Sequence, residues 1–104
     1  ICGMATYELK EPALAMAYTY YHRDTPIFGF NGDQAGAFES HKDRFNVVLT
    51  DPAHTSELGR DYRLVGCFEP TWQGPLCVSR RTGVCSTSPA REFEANRVME
   101  LYRR

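Results

Sequence analysis

Apolar positions recur along this chain in two rhythms. Between Glu11 and His22, Leu14, Ala17, Tyr18 and Tyr21 fall at i, i+3, i+4 and i+7, a spacing that predicts one helix. Pro12 suits its first turn, Glu11 favours the positive end of its dipole, and the stretch RDTP (23–26) stops it. Elsewhere the apolar runs are short and strand-like. Residues 1–9 alternate loosely and read as a short strand or hairpin arm. IFGFNGDQAGAF (27–38) reads as a short strand followed by a turn-rich loop. RFNVVLT (44–50) is a clear strand, with Phe45, Val47 and Leu49 on one face and Asn46, Val48 and Thr50 on the other.

After a loop over 51–61, YRLVGCF (62–68) and LCVSR (76–80) read as a hairpin about the turn EPTWQGP, and 82–86 as a last short strand. The tail changes character. Ser88 suits a cap and Pro89 a first helical position, acidic residues lead and arginines finish, so 88–104 is predicted to be a helix. The order implies an α+β domain over 1–104, with a core at 1–87 and a C-terminal helical extension at 88–104. One helix packs on a central antiparallel sheet, and the other sheet face is left for a ligand or partner.

At 104 residues the chain has room for one core, and no apolar run approaches the ~20 residues of a membrane helix. The net charge of -1 gives no bulk electrostatic case for nucleic acid, so such a case must rest on a local patch. Only Lys10 and Lys42 among the 12 cations are lysines; the ten arginines suit planar, bidentate recognition of phosphate or carboxylate, or reflect a compositional habit of the source.

Four cysteines without a C-x-x-C pair argue for two disulfides and an oxidising compartment at synthesis rather than a zinc site. Cys67 and Cys77 stand symmetrically about Trp72, as cross-strand partners do, which would leave Cys2 with Cys85. The start at Ile1, with no signal peptide, fits a processed mature form.

The order of elements resembles the small guanyl-specific fungal ribonucleases, and more so their degenerate relatives, the RNase-like secreted effectors of cereal powdery mildew fungi. The likeness spans about Cys2 to Cys85. It rests on the early cysteine, the helix ALAMAYTYYH, the hairpin DYRLVGCFEPTWQGPLCVSRRTG and the late GVCST. A Cys2–Cys85 bridge would match the family's long-range disulfide. The second bridge and the terminal helix depart from the simple ribonuclease pattern.

Cleavage of RNA by the family needs a base, an acid and a cation on the phosphoryl oxygens. By resemblance the family arginine falls on Arg63. The glutamate falls on Phe45 or Asn46, neither of which is a base. The histidine falls on Arg81, a poor general acid. The family's Tyr-x-His falls near Phe28 and Phe30.

The expectation is therefore a pseudo-ribonuclease, not an enzyme, without cofactor or metal. The resemblance implies a monomeric effector secreted by a fungus and delivered into the plant cell. It would bind host RNA, the ribosome or a protein, and be recognised by an intracellular immune receptor of the NLR type. Arg63, Arg80, Arg81, Trp72, Phe28 and Phe30 are the candidate binding residues, the two phenylalanines competing with a place in the core.

Two other readings compete. One is an active guanyl-type ribonuclease that recruits Asp43 or Glu39 and His41. The other is an unrelated disulfide-stapled secreted module, marked by a bridge from Cys2 to Cys67 or Cys77.

Overall fold

A computed structural model describes residues 3–9, 27–71 and 74–86. The helices predicted at 11–22 and 88–104, Cys2 and Trp72 lie outside them. The described chain is an α+β arrangement around a five-stranded sheet. The strands are β1 (Gly3–Tyr7), β2 (Ile27–Phe30), β3 (Phe45–Thr50), β4 (Tyr62–Thr71) and β5 (Gly74–Arg81), in the spatial order β2-β1-β3-β5-β4.

The sheet is mixed, which corrects the expected antiparallel one. β1 runs parallel to both β2 and β3, and only the pairs β3/β5 and β4/β5 are antiparallel. The reason lies in burial. All five residues of β1 are buried, as befits a central parallel strand covered on both faces. That is also why its sequence alternates only loosely.

β3 differs from its expected two-faced pattern. The register against β1 shifts between Gly3 and Met4, where Gly3 faces Phe45 but Met4 faces Val47. Asn46 is thus the extra residue of a bulge, and an extra residue turns the preceding side chain to the opposite face. Phe45 accordingly joins Val48, Ala5, Tyr7, Phe28 and Phe30 in one core cluster. Val47 and Leu49 join Met4, Leu9, Ile27 and Leu76 in another.

The first cluster is closed by short elements absent from the expected order. The chain leaves β2 through a 3-10 turn (Gly32–Gln34) into the helix α1 (Ala35–Ser40), whose Phe38 is buried. A second 3-10 turn (Lys42–Arg44) leads into β3. The predicted loop 51–61 is a run of 3-10 turns, Pro52–Asp61, whose Leu58 enters the same cluster. Gly59 breaks this run at φ 72°, a left-handed conformation that favours glycine.

Aromatic rings fill the space. Phe45 lies with its centroid 5.5 Å from Phe30, 6.0 Å from Phe28 and 6.1 Å from Phe38, and Tyr7 stacks on Phe38 at 4.6 Å. Phe28 and Phe30, offered as rim residues by the sequence, are 2% and 0% exposed, so they serve as core and cannot be a binding platform. The strand expected at 82–86 does not form; these residues leave β5 without strand structure.

β4 and β5 build the hairpin foreseen in the sequence, tied by the bridge Cys67–Cys77 between directly paired residues. The described cysteines include no free thiol. The partner expected for Cys85, Cys2, lies outside the described residues. β4 carries its own bulge: Leu64 pairs with Ser79 and Gly66 with Val78, leaving Val65 unpaired.

Candidate functional site: an arginine pair on the hairpin

The hairpin register decides where each arginine goes. Arg63 on β4 is directly opposite Arg80 on β5, and Tyr62 is opposite Arg81. Directly opposed residues share a sheet face, and successive residues alternate. Arg63 and Arg80 therefore stand side by side on one face, while Tyr62 and Arg81 occupy the other.

Arg81 is held by its surroundings. Its guanidinium lies 5.8 Å from the centre of the Tyr62 ring. Nη1 donates to the carbonyl of Lys42 at 3.3 Å, and Nε donates to the carbonyl of Val84 at 3.4 Å. The Tyr62 hydroxyl lies 2.6 Å from the Lys42 carbonyl and 2.8 Å from that of Phe45. Burial of this ring pushes its phenol up to about 12, against which the Arg81 guanidinium pulls down. Arg81 thus fastens the end of the hairpin to the chain entering β3.

Arg63 and Arg80 are exposed, and no acidic group among the described residues pairs with them. Two of the described acids face another cation: Lys42 Nζ lies 3.3 Å from Glu39 and 3.8 Å from Asp61. Like charges facing one another across two strands cost stability. An anion between them would remove that cost.

A surface pocket of about 210 Å³ lies there, lined by Arg63, Arg80, Arg81 and Thr82. The Thr82 amide donates to the Asp61 carbonyl at 2.9 Å, and its hydroxyl lies 3.3 Å from the carbonyls of Arg60 and Asp61, which fixes the pocket rim. Guanidinium forks can bind a phosphate through charge-assisted bonds. Among the described lining residues there is no carboxylate or imidazole to move a proton.

Asp43, Glu39 and His41, the residues of the alternative ribonuclease site, are not among the described residues that line the arginine pocket. Glu39 pairs with Lys42, and Asp43 receives the amide of Ser86 on its backbone carbonyl at 2.6 Å. Neither they nor His41 form a hydrogen bond or ion pair with Arg63. Phe45, where the family glutamate would fall, is wholly buried in the core.

Two features went unnoticed in the sequence. At the far ends of β1 and β3, Glu57 accepts a hydrogen bond from the Tyr7 hydroxyl at 3.0 Å and contacts His54 Nδ1 at 2.6 Å. The bond with His54, and then that from Tyr7, holds the Glu57 carboxyl below the usual glutamate range. Burial, and then Glu57, raises the Tyr7 phenol. The i, i+3 spacing of His54 and Glu57 would have revealed this pair had the loop been read as helical turns. The second feature is Phe68, which a strand pattern assigns to a core and the structure leaves 54% exposed.

No group of three or more metal-ligating side chains occurs among the described residues, and no described helix is long and apolar enough to cross a membrane. Compared with protein-family models, curated proteins and solved structures, the chain matches none of them.

Proposed function

We propose that this protein binds RNA through the Arg63–Arg80 pair and does not cleave it. The observation that carries the reading is a pocket beside two directly opposed, exposed arginines, with no general base or acid among its described lining residues. In-line attack by a ribose 2′-oxygen needs both, and each typically contributes about 10²- to 10⁴-fold. Cations alone position a phosphate without activating the nucleophile.

The resemblance to mildew effectors supplies the wider setting of this proposal. On it the chain is a secreted pseudo-ribonuclease that acts in the plant cell on host RNA, the ribosome or a protein, and an intracellular immune receptor recognises it. The fold would be a rearranged ribonuclease-like one that keeps the β4/β5 hairpin while its N-terminal strands pair in parallel. The Cys67–Cys77 bridge supports synthesis in an oxidising compartment.

The test is a guanine-containing single-stranded RNA, followed for cleavage on a gel and for binding by fluorescence anisotropy. Native protein is expected to bind and leave the RNA intact. Arg63→Ala should weaken binding and flatten its salt dependence by roughly one phosphate contact, about 0.7 in the log–log slope. Cleavage that disappears in Arg63→Ala would make this an enzyme and overturn the reading.

A further inference from the structure

The hairpin face that holds the arginine pair also carries an aromatic ring. Along β5, Arg80, Val78 and Leu76 alternate onto one face. Their partners on β4 are Arg63, Gly66 and Phe68. The Val65 bulge is what brings this about: in a regular strand Phe68, five positions from Arg63, would fall on the opposite face.

Phe68 does not point away from the arginines. A Cβ placed on Gly66 would meet the Phe68 ring at Cζ, 3.4 Å away, and at both Cε atoms, 3.9 Å away. The ring therefore leans back along β4, over the glycine that separates it from Arg63. Gly66 pairs with Val78, two residues from Arg80, so ring and arginine pair are separated by about 7 Å along the sheet. Gly66 has no side chain to stand between them.

We propose, resting on the reading of the arginine pair as a phosphate site, that Phe68 is a stacking platform for a nucleobase of single-stranded RNA. The phosphate sits between Arg63 and Arg80, and the base of the same or the adjoining nucleotide lies on the ring. A cationic groove beside an exposed aromatic is how sheets hold unpaired nucleotides. Every base has a π-face, so the site tolerates sequence. An exposed aromatic can equally be a protein hot spot. Two arginines opposed without a paired acid among the described residues, on the same face and within one nucleotide's reach, favour RNA.

Two labelled probes test this with the full, disulfide-bonded chain: a mixed-sequence single-stranded RNA octamer, and a ribose-phosphate octamer without bases. Phe68→Ala should weaken the RNA about 5- to 150-fold and leave the abasic probe unchanged, while Phe68→Trp restores RNA binding. Arg63→Ala should weaken both probes. A 2-aminopurine in the RNA should be quenched by native protein and not by Phe68→Ala.

If Arg63→Ala weakens both probes but Phe68→Ala weakens neither, or both equally, the phosphate site stands and the stacking proposal fails. If native protein binds the abasic probe as tightly as RNA, the stacking proposal also fails, and Phe68 becomes a protein contact. If native protein binds neither probe, both the platform and the phosphate site are overturned.

Discussion

In the parallel half of the sheet, β1 and β2 bury nearly every residue, and β3 does so from Val47 to Thr50, threonines included. In the hairpin, β4 leaves most positions from Arg63 to Glu69 open to solvent. Both regions are strands with apolar and aromatic side chains. The difference is what lies against them. α1 and the 3-10 run Pro52–Asp61 bring Phe38 and Leu58 onto the parallel strands, while β4 is the last strand of the described sheet. An aromatic residue in the first setting holds the fold together, and in the second it is available to a ligand.

Four variants would sharpen this contrast or break it. Phe45→Ala removes the ring shared by Phe28, Phe30 and Phe38. It should cost about 3–5 kcal/mol in a denaturant titration, a large part of the roughly 5–15 kcal/mol that holds a domain folded. Loss of the cross-strand bridge, as Cys67→Ala with Cys77→Ala, comes next. It closes a short loop with a sequence separation of 10, and its removal should cost about 2–3 kcal/mol by the chain-entropy account.

Tyr62→Phe is expected to cost about 1 kcal/mol, since one buried hydroxyl then no longer serves the carbonyls of Lys42 and Phe45. It also has a signature in pH. The phenol titrates near 10 unfolded and about 12 folded. The stability it lends is therefore complete below pH 10 and lost as pH rises from about 10 to 12. The phenylalanine variant should lose that alkaline sensitivity in a thermal melt taken across this window.

Arg80→Glu should have the smallest effect on stability, and of opposite sign. It turns a like-charge pair with Arg63 into an opposite one, so the melting midpoint should hold or rise while RNA binding disappears. A fall in midpoint comparable to that of Phe45→Ala would mean that the hairpin face is structural after all.

The individual strands were legible because each is a short apolar run ended by turn residues. Their pairing was not. Alternation records which faces are buried but is silent on direction, so β1 could not be recognised as parallel to β2 and β3. The Asn46 bulge was equally hidden, and with it the side on which Phe45 lies. α1 was missed because Gly32 and Gly36 mark turns more strongly than Phe38 marks a helix.

At the site, Arg63 was found through the family resemblance and Arg80 and Arg81 through the expected hairpin. The symmetry about Trp72 that places Cys67 against Cys77 would set Arg63 against Arg81; the shift at Val65 sets it against Arg80 instead. Phe28 and Phe30 fell to the core because the chain folds a helix and a 3-10 run over them. Phe68 could not be distinguished from a core residue, since exposure is settled by sheet order.

The extra residue in β4 has a consequence for how the protein behaves in crowded solution. A ten-residue strand at the border of the described sheet, with Leu64, Val65 and Phe68 half open to water, is the kind of template on which other chains add strands and precipitate. Val65 interrupts its ladder, a second irregularity follows between Phe68 and Thr71, and Pro70 offers no amide. The irregular border thus withholds a continuous row of backbone partners. Deleting Val65 would straighten it, and the first sign should be loss of solubility at high concentration.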